Sequence, residues 1–300
     1  MPQLATDAFA VHVDPQRGGK LTSLRDLRSG REWLLTPAAP YGRPAGYGEG
    51  FTAVEMSGWD EMAPTISACR LVTPWGASDL PDHGEVWSVP WDTVAMEDRR
   101  LTLRVRGRAL PYELQRTILL LDQDRLRLTY EVRNRGEGAI PVLWAAHPQF
   151  TWRSGCRVEL PPSVTHVLDV TSEPDPNTVP WDEQEATRLD HLAPGQGHKV
   201  WTLPGQGPAW CRLRDSDGGS LTITIDPKKV PYLGIWWDAS AYAPLPVVAL
   251  EPSTGHFDDL AVAVAADRVP WLPPGEALGW DVELTLQEGA RPTSGGLQAN

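Results

Sequence analysis

Cysteine is scarce: Cys69, Cys156 and Cys211 stand far apart among 300 residues. Their odd number and wide spacing argue against a disulfide framework, and no CxxC or Cys/His spacing suits a structural zinc site. A reducing, cytoplasmic setting fits. Long apolar runs are missing too. No stretch approaches the roughly 18 apolar residues of a membrane helix. The opening MPQLATDAFAVHVD has neither the basic region nor the apolar run of a signal peptide. Positive charge is in short supply, with 27 Lys and Arg against 39 Asp and Glu, a net charge of −12. That balance argues against nucleic-acid and anionic-membrane partners, which need clustered cations. Phosphate loops of the GxGxxG and GxxxxGK kinds are absent, and so is the GxSxG nucleophile elbow. Asp258-Asp259 is too isolated for a calcium loop. Helical periodicity is nearly absent.

Present in quantity are 29 Pro, 27 Gly and 14 Trp. Proline at that level interrupts long helices and suits loops between short strands. Tryptophan is a core residue first. It is also the side chain that stacks its face on a pyranose while its N–H stays free to donate. Apolar and polar residues alternate in LTLRVRGRAL (101–110) and SLTITIDP (220–227), and again in LGWDVELTLQEG (278–289). RTILLLDQDRLRLTYEVRNRG predicts two strands joined by a turn at Asp122 to Asp124. YLGIWWDAS and PVVALEPS predict neighbouring strands joined by 241–246. Strands at this spacing with Gly/Pro turns predict an all-β fold, a large antiparallel β-sandwich. No composition break divides the chain, so residues 1–300 are expected to form a single domain. The segment 172–207, rich in Pro, Gly and acidic residues, is expected to form long surface loops. Residues 290–300 are expected to be a frayed tail.

Four polar clusters sit in Pro/Gly/Trp-rich contexts: Gly58-Trp59-Asp60-Glu61, Pro81-Asp82-His83-Gly84-Glu85-Val86-Trp87, Ala146-His147-Pro148-Gln149-Phe150 and Leu250-Glu251-Pro252-Ser253-Thr254-Gly255. Singly, each is compatible with packed loops, solvated strand ends or turn anchors. In this order, WAAHPQF, ALEPSTG and DHGEVWS resemble the aldose 1-epimerase (galactose mutarotase-like) family. GGKLTSLRDLRSGREWLL likewise resembles that family's first hairpin. The resemblance spans residues 18 to about 288.

It implies a galactose mutarotase-like supersandwich with an open concave cleft. It implies His147 as catalytic acid, Glu251 as catalytic base, and His83 as a residue holding the sugar near its ring oxygen. The chemistry is coherent. One group takes the anomeric proton while another protonates the ring oxygen as the C1–O5 bond breaks, and the ring recloses on the other face. Neither a metal nor an organic cofactor is required. Pro148 and Pro252 restrict His147 and Glu251 to extended backbone.

The sequence departs from the hexose-6-phosphate epimerase branch, which carries a phosphate-binding arginine shortly after the His-Gly pair. Here that stretch is acidic. Carboxylates near the cleft would repel a phosphate or uronate. The expected ligand is therefore a neutral sugar, hydrogen-bonded by some of Asp60, Glu61, Glu85 and Asp238. Alternation along a strand puts Trp236 and Asp238 on one side. Either both face the cleft, or Trp236 lies in the core with Asp238 outside. A non-catalytic carbohydrate-binding or sensing protein is the competing function. Lyase chemistry on the same cleft is a third, weakened by six tyrosines, none within the four clusters.

Overall fold

The computed structural model describes residues 1–36, 42–54, 56–171 and 176–289. The expected tail at 290–300 lies outside these residues, as does part of the segment 172–207.

Among the described residues, two large antiparallel sheets face each other across the core. One has eight strands, in the order Arg157–Glu159, Trp210–Arg214, Ser220–Ile225, Ala277–Gln287, Arg125–Asn134, Tyr112–Leu120, Arg100–Arg106 and Asp92–Glu97. Its alternation is the one visible in the sequence. Leu126, Leu128, Tyr130 and Val132 point inward, and the residues between them are half-buried or exposed. Burying such a row contributes about 25 cal/mol for each Å² of apolar surface removed from water.

The second sheet has ten strands. Five of them build the floor of the cleft: β1 (Trp59–Met62), β2 (Ala145–Thr151), β3 (Gly197–Thr202), β4 (Tyr232–Asp238) and β5 (Val247–Ser253), of which β1, β2 and β5 carry three of the four polar clusters. Their spatial order is β1-β2-β5-β4-β3. Before them, Phe9–Asp14 and Lys20–Asp26 form the expected hairpin around Gly18-Gly19. The core between the sheets includes Trp59, Trp91, Trp144 and Trp237, all fully buried.

The segment 172–207 is not simply loop. It contains a strand at Asn177–Pro180, a helical turn at Glu183–Ala186 capped by Asp182, and all of β3. Six residues of alternation flanked by Gly and Pro give too short a signal to stand out. β3 is instead specified by tertiary pairing with β4, where Lys199 lies opposite Trp236 and Trp201 opposite Gly234.

Candidate active site

Pairing register builds the site. On β2, Ala145 faces Ser253 of β5 and Gln149 faces Ala249, which sets His147 opposite Glu251 between them. On the other side of β2, His147 faces Asp60 of β1. Glu251 in turn faces Gly234 of β4, which faces Trp201 of β3. Because side chains directly opposite in neighbouring strands share a face, Asp60, His147, Glu251, Gly234 and Trp201 form one row across the sheet. Pro148 and Pro252 sit beside the two central members. Proline has no N–H to give to a ladder, and the paired positions of β2 and β5 are interrupted between Ala145 and Gln149.

Within that row His147 Nδ1 lies 3.0 Å from Glu251 Oε1. A carboxylate can only accept, so Nδ1 carries the proton and Nε2 is left as the exchangeable atom. Nε2 has no hydrogen-bond partner among the described residues, and His147 lines the cleft. Lys199, in the next row of the same face, brings Nζ to 2.9 Å from Glu251 Oε2 and 2.8 Å from Asp258 Oδ1. Burial pushes the Glu251 carboxyl up. The Lys199 ammonium and the His147 hydrogen bond outweigh it and hold the group at about 2. For Lys199, burial acts downward, yet Asp258 and Glu251 together carry the ammonium above its ordinary range.

His83 stands across from this pair. Its ring centre is 5.3 Å from that of His147, edge to face, and it stacks on Phe51 at 4.0 Å. Nδ1 meets Asp82 Oδ1 at 2.9 Å. Burial lowers the imidazole's affinity for a proton, partly offset by Asp82 and reinforced by His147. The His-Gly pair is a left-handed turn, with φ of +57° at His83 and +70° at Gly84. A Cβ on Gly84 would fall 2.2 Å from the Ala63 carbonyl oxygen, so only glycine lets this turn close against β1.

Phe51, Met56, Ile66, Asp82, Trp236 and Tyr242 complete a cavity of about 360 Å³ over His83, His147, Lys199, Glu251 and Asp258. Of the residues singled out in the sequence, His147, Glu251, His83 and Trp236 come together here. Asp60, Glu61, Glu85 and Asp238 do not line it. Asp60 shares the row but is fully buried against Lys20 Nζ at 2.8 Å. Glu61 points into the core. It accepts from Arg116 at 2.7 Å, Tyr130 at 2.8 Å and Trp144 Nε1 at 2.7 Å. Glu85 accepts from the backbone N–H groups of Arg108 and Ala109 and from the Tyr47 hydroxyl. Asp238 accepts from the N–H groups of Ala241, Tyr242 and Ala243, anchoring the turn that presents Tyr242.

The carboxylate excess expected at the cleft is nonetheless there, supplied by Asp82, Glu251 and Asp258 against Lys199. Sequence reasoning missed Lys199, Asp258, Phe51 and Tyr242. Lys199 was hidden with β3, Asp258 lies in a loop and Phe51 opens a single 3-10 turn (Phe51–Ala53), neither of which any periodicity places. Among the described residues, no group of three or more His, Cys, Asp or Glu is placed to hold a metal ion. Among the described residues, no helix is long and apolar enough to cross a membrane.

The fold superposes on solved structures. A candidate aldose 1-epimerase from Escherichia coli K12 is similar with a TM-score of 0.74 over 95% of this chain and 98% of its own, at 18% identity. The fold is galactose mutarotase-like. A galactose mutarotase-like protein from Lactobacillus casei matches it with a TM-score of 0.72 over 96% and 100% of the two chains, at 17% identity. A galactose mutarotase related enzyme from Lactobacillus acidophilus gives 0.70 over 96% and 97%, at 13% identity. No family model and no curated protein matches the sequence. Within the mutarotase-like fold, this chain sets its row of polar groups on the sheet face that bears the cleft.

Proposed function

We propose that the protein is an aldose 1-epimerase acting on a neutral sugar. The observation that carries this reading is the His147–Glu251 pair on the cleft floor, with His147 Nε2 unpartnered and His83 opposite. His147, protonated at Nε2, donates to the ring oxygen as the C1–O5 bond opens. Glu251 accepts the proton of the anomeric hydroxyl. Held at about 2 by Lys199, it is a weak base. The incoming hydroxyl therefore takes the place of the ammonium at Oε2, while Lys199 keeps Asp258 at 2.8 Å. Rotation about C1–C2 and the reverse transfers close the other anomer. Phe51 holds His83 flat for a hydrogen bond to the sugar. The negative surplus among the lining side chains disfavours phosphorylated and uronic substrates.

One observation favours the second reading, a sugar-binding protein without turnover: both oxygens of Glu251 already face a donor, His147 and Lys199. Polarimetry of freshly dissolved α-D-glucose and α-D-galactose separates the two. Wild type accelerates equilibration, and His147→Gln and Glu251→Gln each lose about 100-fold or more. Binding without acceleration across a panel of neutral aldoses would leave the non-catalytic reading standing.

A further inference from the structure

We infer that the cleft holds two neutral sugar rings, the second in a lobe beyond Trp236 and Tyr242. This rests on the reading of the first lobe as a sugar site. A second depression, of about 640 Å³, adjoins the first and is lined by Val170, Thr171, Gly195, Gly197 and Ala241. Ser67, Lys199, Trp236, Tyr242 and Asp258 belong to both. The two lobes are thus one groove with a common wall. The first lobe, at about 360 Å³, lies near the bottom of the roughly 300–1,000 Å³ range of small-molecule sites, enough for a single ring. The remaining space has no occupant if the ligand is a monosaccharide.

The chemistry of the second lobe suits a sugar. Trp236 lies against the backbone of Gly197, where a Cβ would fall 2.2 Å from the indole. Glycine at 197 is therefore what lets the ring settle there. Tyr242 is 57% exposed, and its ring is 6.0 Å from Trp236 at a tilt of 46°. The two make an open aromatic wedge at the junction, suited to the C–H face of a pyranose. Ser67, Thr171, the Lys199 ammonium and the Asp258 carboxylate line the groove around that wedge and offer polar partners to a ring's hydroxyl groups, with the Thr171 hydroxyl already accepting from the Lys199 N–H and 2.9 Å from His198 Nδ1. An anionic substituent fits badly, because the single positive charge of Lys199 is already shared by Glu251 and Asp258. The ligand class is a neutral disaccharide, its reducing-end ring over His147 and Glu251.

Methyl glycosides cannot open, so they read binding separately from turnover. Calorimetric titration of methyl glucoside and methyl galactoside, beside the methyl glycosides of maltose, cellobiose and lactose, is the test. At least one disaccharide is expected to bind wild type about tenfold or more tighter than the matching monosaccharide. Ala241→Trp, which fills the second lobe, is expected to bring that ratio to within about twofold. Tyr242→Ala removes an exposed ring, and is expected to weaken the disaccharide more than the monosaccharide. Monosaccharide binding with no disaccharide advantage, or an advantage that both variants preserve, overturns the second subsite and leaves the first intact. Failure of every glycoside to bind, mono- or disaccharide, overturns the sugar reading of the first lobe and this inference with it.

Discussion

At the scale of single residues, Lys199 decides what Glu251 can do. Three influences act on that carboxyl: burial raises it, while the ammonium and the His147 hydrogen bond lower it. Replacing Lys199 with Met removes the stronger of the two opposing influences. It also leaves Asp258 as a nearby like charge. Both changes favour the protonated acid, so the carboxyl of the variant rises from about 2 toward or beyond the ordinary carboxylate value. Wild type keeps Glu251 ionised throughout the mildly acidic range, and its acidic limb belongs to another group. The prediction is that Lys199→Met moves the acidic limb of kcat/KM to higher pH, whereas Lys199→Arg, which keeps the charge, leaves it low. A pH–rate profile of the three proteins checks this. A uniform loss of rate with an unmoved limb would mean that Lys199 serves packing alone. None of this was legible in the sequence. Lys199 is 52 residues from His147 and 52 from Glu251, and only the pairing of β3 with β4 brings it to them.

At the scale of elements, alternation was a reliable guide where one sheet face is core and the other is wet. Arg125–Asn134 and Ala277–Gln287 follow it residue by residue. It failed for the carboxylates of β1, because both faces of that strand are buried. Asp60 and Glu61 look equivalent in sequence, yet one lies on the cleft side against Lys20 and the other lies between the sheets. The partners of Glu61 come from positions 116, 130 and 144, none of them local. Arg116 and Glu61 are both fully buried. Such a pair contributes little relative to well-packed apolar residues, but removing one partner strands the other. Arg116→Met should therefore cost about 3–5 kcal/mol, read as a lower urea midpoint. The double variant Arg116→Met/Glu61→Leu should recover a large part of that loss. If the single variant matches wild type, the pair does not join β1 to the facing sheet energetically.

At the scale of the whole molecule, the antiparallel sandwich was legible because it follows from short alternating segments and turns, whereas the order of its strands was not. The cleft was legible only through motif order, since its walls are assembled from seven separate stretches of chain. The same assembly buries several histidines, and this gives the protein a pH-dependent stability whose sign can be worked out. Burial lowers the proton affinity of His83 and His198, and burial together with Arg268 lowers His256 from 6.5 to about 4. Each therefore binds fewer protons folded than unfolded below its ordinary pKa. Their contribution to stability is present above about pH 6.5 and is lost as the pH falls toward the folded value. For His256 alone the loss amounts to about 3 kcal/mol by pH 4, at 1.36 kcal/mol per pKa unit. Glu251 adds to the decline at lower pH, between its ordinary 4.5 and about 2. Glu61 runs the other way, because burial raises it despite Arg116, so it gains from acid around the carboxylate range. Above its ordinary 4.5, Glu61 therefore offsets part of what the histidines lose as the pH falls. Urea midpoints measured at pH 7.5, 6.0, 5.0 and 4.5 should fall steadily, and His256→Gln should flatten the slope between pH 6.5 and 4.5. A slope that His256→Gln leaves unchanged would mean that His256 takes up its proton in the folded protein without cost.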